Sequence, residues 1–87
     1  MKCKLITGVT GDQALSPVNL RRIRVAGVAA LVGAVQVKQG GIVIETLPAA
    51  TAPGVDRWYE DAGFDSNLGA LAINMANAGD SVLVFYT

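Results

Sequence analysis

The sequence predicts a mainly β fold, a small antiparallel β-sandwich or barrel of about six or seven strands. Three observations lead to this prediction. Polar and apolar residues alternate with a period of two in several short runs, and these runs are rich in β-branched residues. Turn-forming residues separate the runs at intervals of about eight to twelve positions. The 87 residues are enough for one core, so residues 1–87 are expected to form a single domain.

The first predicted strand begins at Lys2 and ends before Gly8. Its lysines alternate with apolar side chains, which indicates one wet and one dry face. Cys3 is expected to be a small buried hydrophobe on this strand. Residues 8–17 contain many turn formers and no sustained period, which indicates a loop.

The second predicted strand covers residues 21–25. Its period of two places Ile23 and Val25 on one face and Arg22 and Arg24 on the other. The alternative is a helix that begins at residues 16–17, with serine as the N-cap and proline at the first helical position.

A β-hairpin is predicted around Gly40 and Gly41, because two runs rich in β-branched residues flank this glycine pair. Residues 48–54 follow as an exposed loop of small residues and prolines. Residues 55–67 are irregular and are expected to include one short strand.

Two further segments complete the predicted fold. Residues 68–76 fit a strand, with Leu71, Ile73 and Met75 on one face, although a helix capped by Ser66 fits the same residues. Residues 81–87 are apolar on both faces, which is typical of a central strand or one buried in an interface.

Residues 25–35 form the longest apolar run. The run has about half the ~20 residues needed to span a bilayer, so no membrane association is expected. Eleven small apolar residues cannot all face the interior of so small a domain. Part of the run is therefore expected to contact another chain, and a short helix within residues 25–33 is an open alternative.

The residue types for common catalysis are missing. The chain has no histidine, which excludes the usual Ser-His and Cys-His pairs, and the lysines beside Cys3 would lie on the opposite face of its strand. Its glycines match no phosphate-binding or dinucleotide-binding pattern. We expect no enzyme activity, no catalytic residue and no bound cofactor.

Four acidic residues cluster between residues 56 and 65, and carboxylates of this kind can bind calcium. Their spacing matches no known calcium loop, so a solvated acidic loop or salt bridges to the arginines are the favoured interpretation, and no metal site is predicted. The four are Asp56, Glu60, Asp61 and Asp65.

The charge pattern favours a homo-oligomer. Only 16% of residues are charged and the net charge is zero, so copies repel each other weakly. Residues 1–44 carry six basic residues and one acidic residue, whereas residues 45–87 carry one basic residue and six acidic ones. This division suits head-to-tail contact unless strands from the two halves interleave. The zero net charge and the absence of aromatic residues among the basic ones argue against nucleic-acid binding.

Candidate interface residues come from the arginine-rich strand, the apolar run and two aromatic residues in a polar loop, since aromatic and arginine side chains dominate interfaces. Phe64 is assigned to the core instead. The interface candidates are Arg22, Arg24, Val28, Leu31, Trp58 and Tyr59.

The order of these elements resembles small structural proteins of bacteriophage virions, particularly β-rich capsid decoration or cement proteins. The likeness lies in a turn-rich entry to the strand PVNLRRIRV (17–25), a Gly-Gly hairpin into residues 42–44, and a final strand SVLVFYT (81–87). The apolar residues 25–33 depart from the polar turn expected between those strands.

The resemblance implies a non-catalytic subunit that is made in the host cytoplasm and becomes part of the virion. Its expected partner is the major capsid protein or another virion subunit, and its expected action is to stabilise the capsid lattice. A head-tail connector, neck or tail subunit is the first alternative. A small nucleic-acid-binding or regulatory module is the second.

Overall fold

The computed structural model describes residues 1–15, 19–59, 64–65 and 68–87. These residues contain nine β-strands and no α-helix. The strands are β1 (Lys2–Thr7), β2 (Gly11–Ala14), β3 (Asn19–Val25), β4 (Val35–Gln39), β5 (Ile42–Leu47), β6 (Asp56–Trp58), β7 (Phe64–Asp65), β8 (Leu71–Met75) and β9 (Ser81–Tyr86).

The strands form two antiparallel sheets. The first sheet has the order β1-β9-β3-β6, and the two-residue β7 also pairs with β3. The second sheet has the order β2-β8-β4-β5. The fold is therefore mainly β and sandwich-like, as predicted, and not a closed barrel.

The prediction of six or seven strands was too low. β2 lies inside residues 8–17, which were expected to be a loop, and residues 55–67 supply both β6 and β7. β2 reads GDQA and has no apolar alternation. Its strand conformation depends on pairing with β8, where Asp12 lies opposite Asn74, so local sequence carries little signal for it.

The core lies between the sheets and is filled mainly by aliphatic side chains. Burial alternates along β8 and through most of β9, as the pleat of a strand facing a core requires. The first sheet contributes Ile6, Leu20, Ile23, Val25, Val82 and Val84, and the second contributes Val35, Val37, Leu47, Leu71, Ile73 and Met75.

A β-bulge adjusts β3 to this core. The register with β9 shifts between Leu20 and Arg22, and both Leu20 and Ile23 are fully buried despite their spacing of three residues. An extra residue in one strand allows this departure from simple alternation. The strand interpretation of residues 21–25 is confirmed, while residues 16–17 of the alternative helix lie outside the described residues.

The predicted hairpin is confirmed. β4 pairs with β5 from Gln39 opposite Ile42 to Val35 opposite Leu47. Gly40 and Gly41 have φ angles of 59° and 82°, the left-handed geometry that suits a two-residue hairpin turn. The strand interpretation of residues 68–76 is confirmed by β8, and β9 is a central strand between β1 and β3.

Residues 26–34 form neither a helix nor a strand. The buried Asp80 fixes this loop, because its two carboxylate oxygens accept hydrogen bonds from the backbone N–H groups of Val32 (2.8 Å) and Gly33 (2.9 Å). Leu31 is buried, and its backbone exchanges hydrogen bonds with Thr51 and Ala50. The loop is thus held at one end while Val28 is fully exposed.

The expected dry face of the first strand was wrong. Cys3 is exposed and Leu5 is 52% exposed, whereas Ile6 is buried. Lys2 and Lys4 point to the same side of the strand as Ile6. They are nevertheless exposed, because β1 is an edge strand of the sheet. Cys3 instead lies on the outer side of the sheet, opposite Phe85.

Candidate interaction surface

Two rows of side chains cross the outer side of the first sheet. In one row, Cys3 lies opposite Phe85, Phe85 opposite Arg22, and Arg22 opposite Trp58. In the next row, Leu5 lies opposite Leu83, Leu83 opposite Arg24, and Arg24 opposite Asp56. We call this surface the outer face; its residues are Cys3, Leu5, Arg22, Arg24, Asp56, Trp58, Leu83 and Phe85.

Arg22 is fixed at the centre of the outer face. Its guanidinium carbon lies 4.5 Å from the ring centroid of Trp58 and 4.6 Å from that of Phe85. Its Nε donates to Oδ1 of Asp56 at 3.0 Å, and Nη2 lies 2.8 Å from Oδ2. This fork-shaped pairing and the aromatic contacts leave Arg22 with 18% of its side chain exposed.

The carboxyl group of Asp56 responds to the same contacts. The hydrogen bond from Arg22 lowers the pKa of Asp56 below its ordinary value of 3.8, and the charges of Arg22 and Arg24 act in the same direction. Asp56 is therefore ionised at neutral pH. It holds the arginine over the aromatic rings.

Apolar side chains surround this ion pair. Leu5 and Trp58 are 52% and 58% exposed, and Leu83 and Phe85 are partly buried between them. Leu5 on β1 and Trp58 on β6 lie at opposite edges of the sheet, with β9 and β3 between them. Apolar side chains exposed across one face of a sheet commonly mark a site of protein contact.

The outer side of the second sheet carries a polar group of side chains around Asp12, with the half-exposed Val43 opposite Lys38. Asn74 donates to Oδ1 of Asp12 at 2.7 Å, and the amine of Lys38 lies 3.3 Å from the same oxygen. The hydrogen bond from Asn74 and then the contact with Lys38 lower the pKa of Asp12. The two sheets thus offer different surfaces, and among the described residues this combination of aromatic, aliphatic and arginine side chains is found on the first sheet.

The structure places some of the predicted interface residues on the outer face and others elsewhere. Arg22, Arg24 and Trp58 meet on the outer face. Val28 is fully exposed but lies on the loop of residues 26–34. Leu31 is 4% exposed and belongs to the core, so it does not contribute to a surface.

Tyr59 also lies in the core, at 9% exposure, with its ring centroid 4.5 Å from that of Phe64. Burial raises the pKa of its phenol, and the nearby charge of Glu45 adds to the increase. The phenolic oxygen has no hydrogen-bond partner among the described residues. Phe64 packs against the core, as predicted.

The acidic cluster is only partly described. Asp56 is in the ion pair with Arg22, which agrees with the salt-bridge interpretation. Glu60 and Asp61 lie outside the described residues, as does the side chain of Asp65. Within the described part of the chain, no three acidic, cysteine or histidine residues are grouped closely enough to hold a metal ion.

Sequence reasoning missed Leu5, Leu83 and Phe85. The signal was present in the apolar residues on both sides of the last strand, which predicted a central strand or an interface. The central strand is confirmed, with Val82 and Val84 facing the core. Leu83 and Phe85 lie on the outer face, and their burial in an interface stays a prediction.

The two halves of the sequence do not separate in the fold. β3, from the basic half, lies between β9 and β6 from the acidic half. Charges from both halves therefore meet within one sheet, as in the pair of Arg22 and Asp56. The expected division into a basic and an acidic face is not formed by these strands.

Comparison of the chain with protein families, with curated proteins and with solved structures gave no match. Among the described residues, no helix has the length and apolar character needed to cross a membrane. Evidence about function therefore comes from the outer face and from the sequence.

Proposed function

We propose that this protein is a non-catalytic structural subunit of a bacteriophage virion, of the capsid decoration type, and that it attaches through the outer face. The observation that carries the attachment is the group of apolar side chains around the ion pair of Arg22 and Asp56. Aromatic and arginine side chains held rigidly in this way are typical anchors of protein interfaces.

The rigidity of the face supports a structural role. Arg22 is held by two aromatic contacts and by both oxygens of Asp56. A side chain that is already ordered loses little conformational entropy on binding, so the contact gains affinity. The virion context comes from the resemblance between the order of elements along the sequence and that of small virion structural proteins.

The test is sedimentation of the purified protein with particles of the phage whose genome encodes it, produced from a phage that lacks the gene for this protein. We expect saturable binding to the particles. Leu5→Ser removes apolar contact from the outer face and should weaken this binding about tenfold. Ile42→Ser is the matched control, because Ile42 is an exposed aliphatic residue, 70% accessible, at the hairpin of the second sheet.

Absence of binding to the particles, together with a monomeric mass in light scattering, would sink the proposal. Equal binding by both serine variants would place the contact elsewhere on the chain. The number of copies per particle separates the virion alternatives: a decoration protein follows the number of capsid subunits, whereas a neck or tail subunit is present in far fewer copies.

A nucleic-acid-binding module is the second candidate, and one observation favours it. The register brings Trp58 and Phe85 beside Arg22, an arrangement of aromatic and basic side chains that is not visible in the linear sequence. Arg22 is already paired with Asp56, however, and this ion pair weakens the attraction of Arg22 for phosphate. Salt-dependent binding of a labelled single-stranded oligonucleotide would support this candidate, and no binding at low salt would remove it.

A further inference from the structure

Arg24 is the incompletely paired cation of the outer face. Arg22 engages both carboxylate oxygens of Asp56, at 3.0 Å and 2.8 Å. Arg24 approaches the same carboxylate only with Nε, at 4.0 Å from Oδ1, and 47% of its side chain is exposed. Among the described residues, the outer face contains two arginines and one aspartate, so the single carboxylate of Asp56 does not balance both cations.

The surroundings of Arg24 leave room for an incoming side chain. A shallow depression beside it is lined by residues from three segments: Arg24 to Gly27, Pro53 and Gly54, and Leu83. A Cβ atom added at Gly27 would meet nothing within 4 Å, and one added at Gly54 would lie 3.8 Å from Nη2 of Arg24. The guanidinium group is thus reachable from solvent next to the apolar side chain of Leu83.

We propose that the outer face binds a partner protein that places a carboxylate against Arg24 and apolar side chains over Leu5, Leu83 and Trp58. The inference rests on the proposed docking role of this face and adds the chemistry of the partner. Charge complementarity selects an acidic group, since a guanidinium next to apolar surface forms a stronger ion pair once water is excluded.

A second copy of the chain fits this face less well. A twofold contact applies the same patch from both sides, so it would bring Arg22 and Arg24 of each copy towards those of the other. Like charges brought together in an interface oppose binding. The occupant is therefore not the same face of a second copy but a protein surface with a negative charge among apolar side chains.

The probe is a displayed library of random peptides, selected on the immobilised full-length protein. We expect the enriched peptides to combine an aspartate or glutamate with neighbouring apolar residues. Arg24→Gln should weaken the binding of an enriched peptide about tenfold or more, measured by fluorescence anisotropy. Replacing the acidic residue of the peptide by its amide should weaken binding to a similar extent, and the two losses should not add.

Arg57→Gln is the matched control, because Arg57 is an exposed arginine on β6 that pairs with the buried Ile23 and not with the outer-face rows. It should bind the peptide as well as the natural protein does. Thermal unfolding of both variants checks that each is folded.

Enriched peptides without acidic residues, no enriched peptides, or equal binding by the Arg24 and Arg57 variants would overturn the inference. A dimer that is detected by light scattering and dissociated by Leu83→Asp would also overturn the inference, because a second copy would then occupy the face. These results are separate from the particle test. If the protein fails to bind phage particles, the virion role is removed, but the finding that acidic peptides need Arg24 for binding would still stand.

Discussion

At the scale of single residues, two aspartates fix parts of the molecular surface. Asp56 holds Arg22 over the rings of Trp58 and Phe85. Asp80 holds the apolar loop by accepting two backbone hydrogen bonds. The sequence predicted salt bridges between the acidic cluster and the arginines but not which residues pair, and it contained no sign of the role of Asp80 in its Gly-Asp turn. Their partners lie 34 and about 48 positions away in the chain.

Asp80→Ala should destabilise the fold by about 2–4 kcal/mol, since it leaves the N–H groups of Val32 and Gly33 without their charged acceptor. Chemical denaturation measures the loss. Asp12→Ala is the control, because Asp12 lies on an exposed surface, and it should cost far less. Equal losses in the two variants would show that Asp80 does not fix the loop.

At the scale of elements, the strands with the clearest period were the ones that sequence reasoning placed correctly. β4, β5, β8 and β9 follow an alternating or β-branched pattern, which reflects their position over a core. β2, β6 and β7 have two to four residues each and depend on pairing with a longer strand. Their local sequence could not specify them, because short strands gain most of their stability from neighbours.

Gly41→Val should destabilise the protein by about 1–2 kcal/mol, because a β-branched residue tolerates the φ of 82° poorly. Gly40→Asn is the control: its φ is 59°, and asparagine adopts left-handed geometry more readily than other residues do. Urea unfolding measures both. A valine variant as stable as the asparagine variant would mean that the turn relaxes without cost.

At the scale of the whole molecule, the two sheets share a core but present different outer surfaces. On the second sheet, Lys38 and Asn74 both contact Asp12. The first sheet exposes Leu5 and Trp58 next to arginines. Under the proposed function, this difference between the sheets would give the subunit one preferred direction of attachment.

Acid should destabilise the molecule in a defined range. The pKa of Asp56 and that of Asp12 are lowered by folding, so their stabilisation is complete above the ordinary value of 3.8 and is lost as the pH falls through the lowered values. Thermal unfolding between about pH 6 and about pH 2 should show this loss. Arg22→Met should return the pKa of Asp56 towards its ordinary value and reduce the acid dependence.

Arg57→Met is the control for this titration, since Arg57 makes no ion pair with Asp56. NMR titration of the Asp56 carboxyl group gives the direct readout. An unchanged pKa in the Arg22 variant would contradict the assignment of Arg22 as the main cause of the shift.

The sequence by itself determined the β class, the central hairpin, the central last strand and the choice of Arg22, Arg24 and Trp58 as surface candidates. These follow from local periodicity and residue type, which act over a few positions. Only the tertiary structure decided the split of the last strand between core and outer face, the burial of Leu31 and Tyr59, and the exposure of Cys3. Those outcomes depend on which strands become neighbours, and pairing between residues as distant as Lys2 and Tyr86 leaves no trace in local pattern.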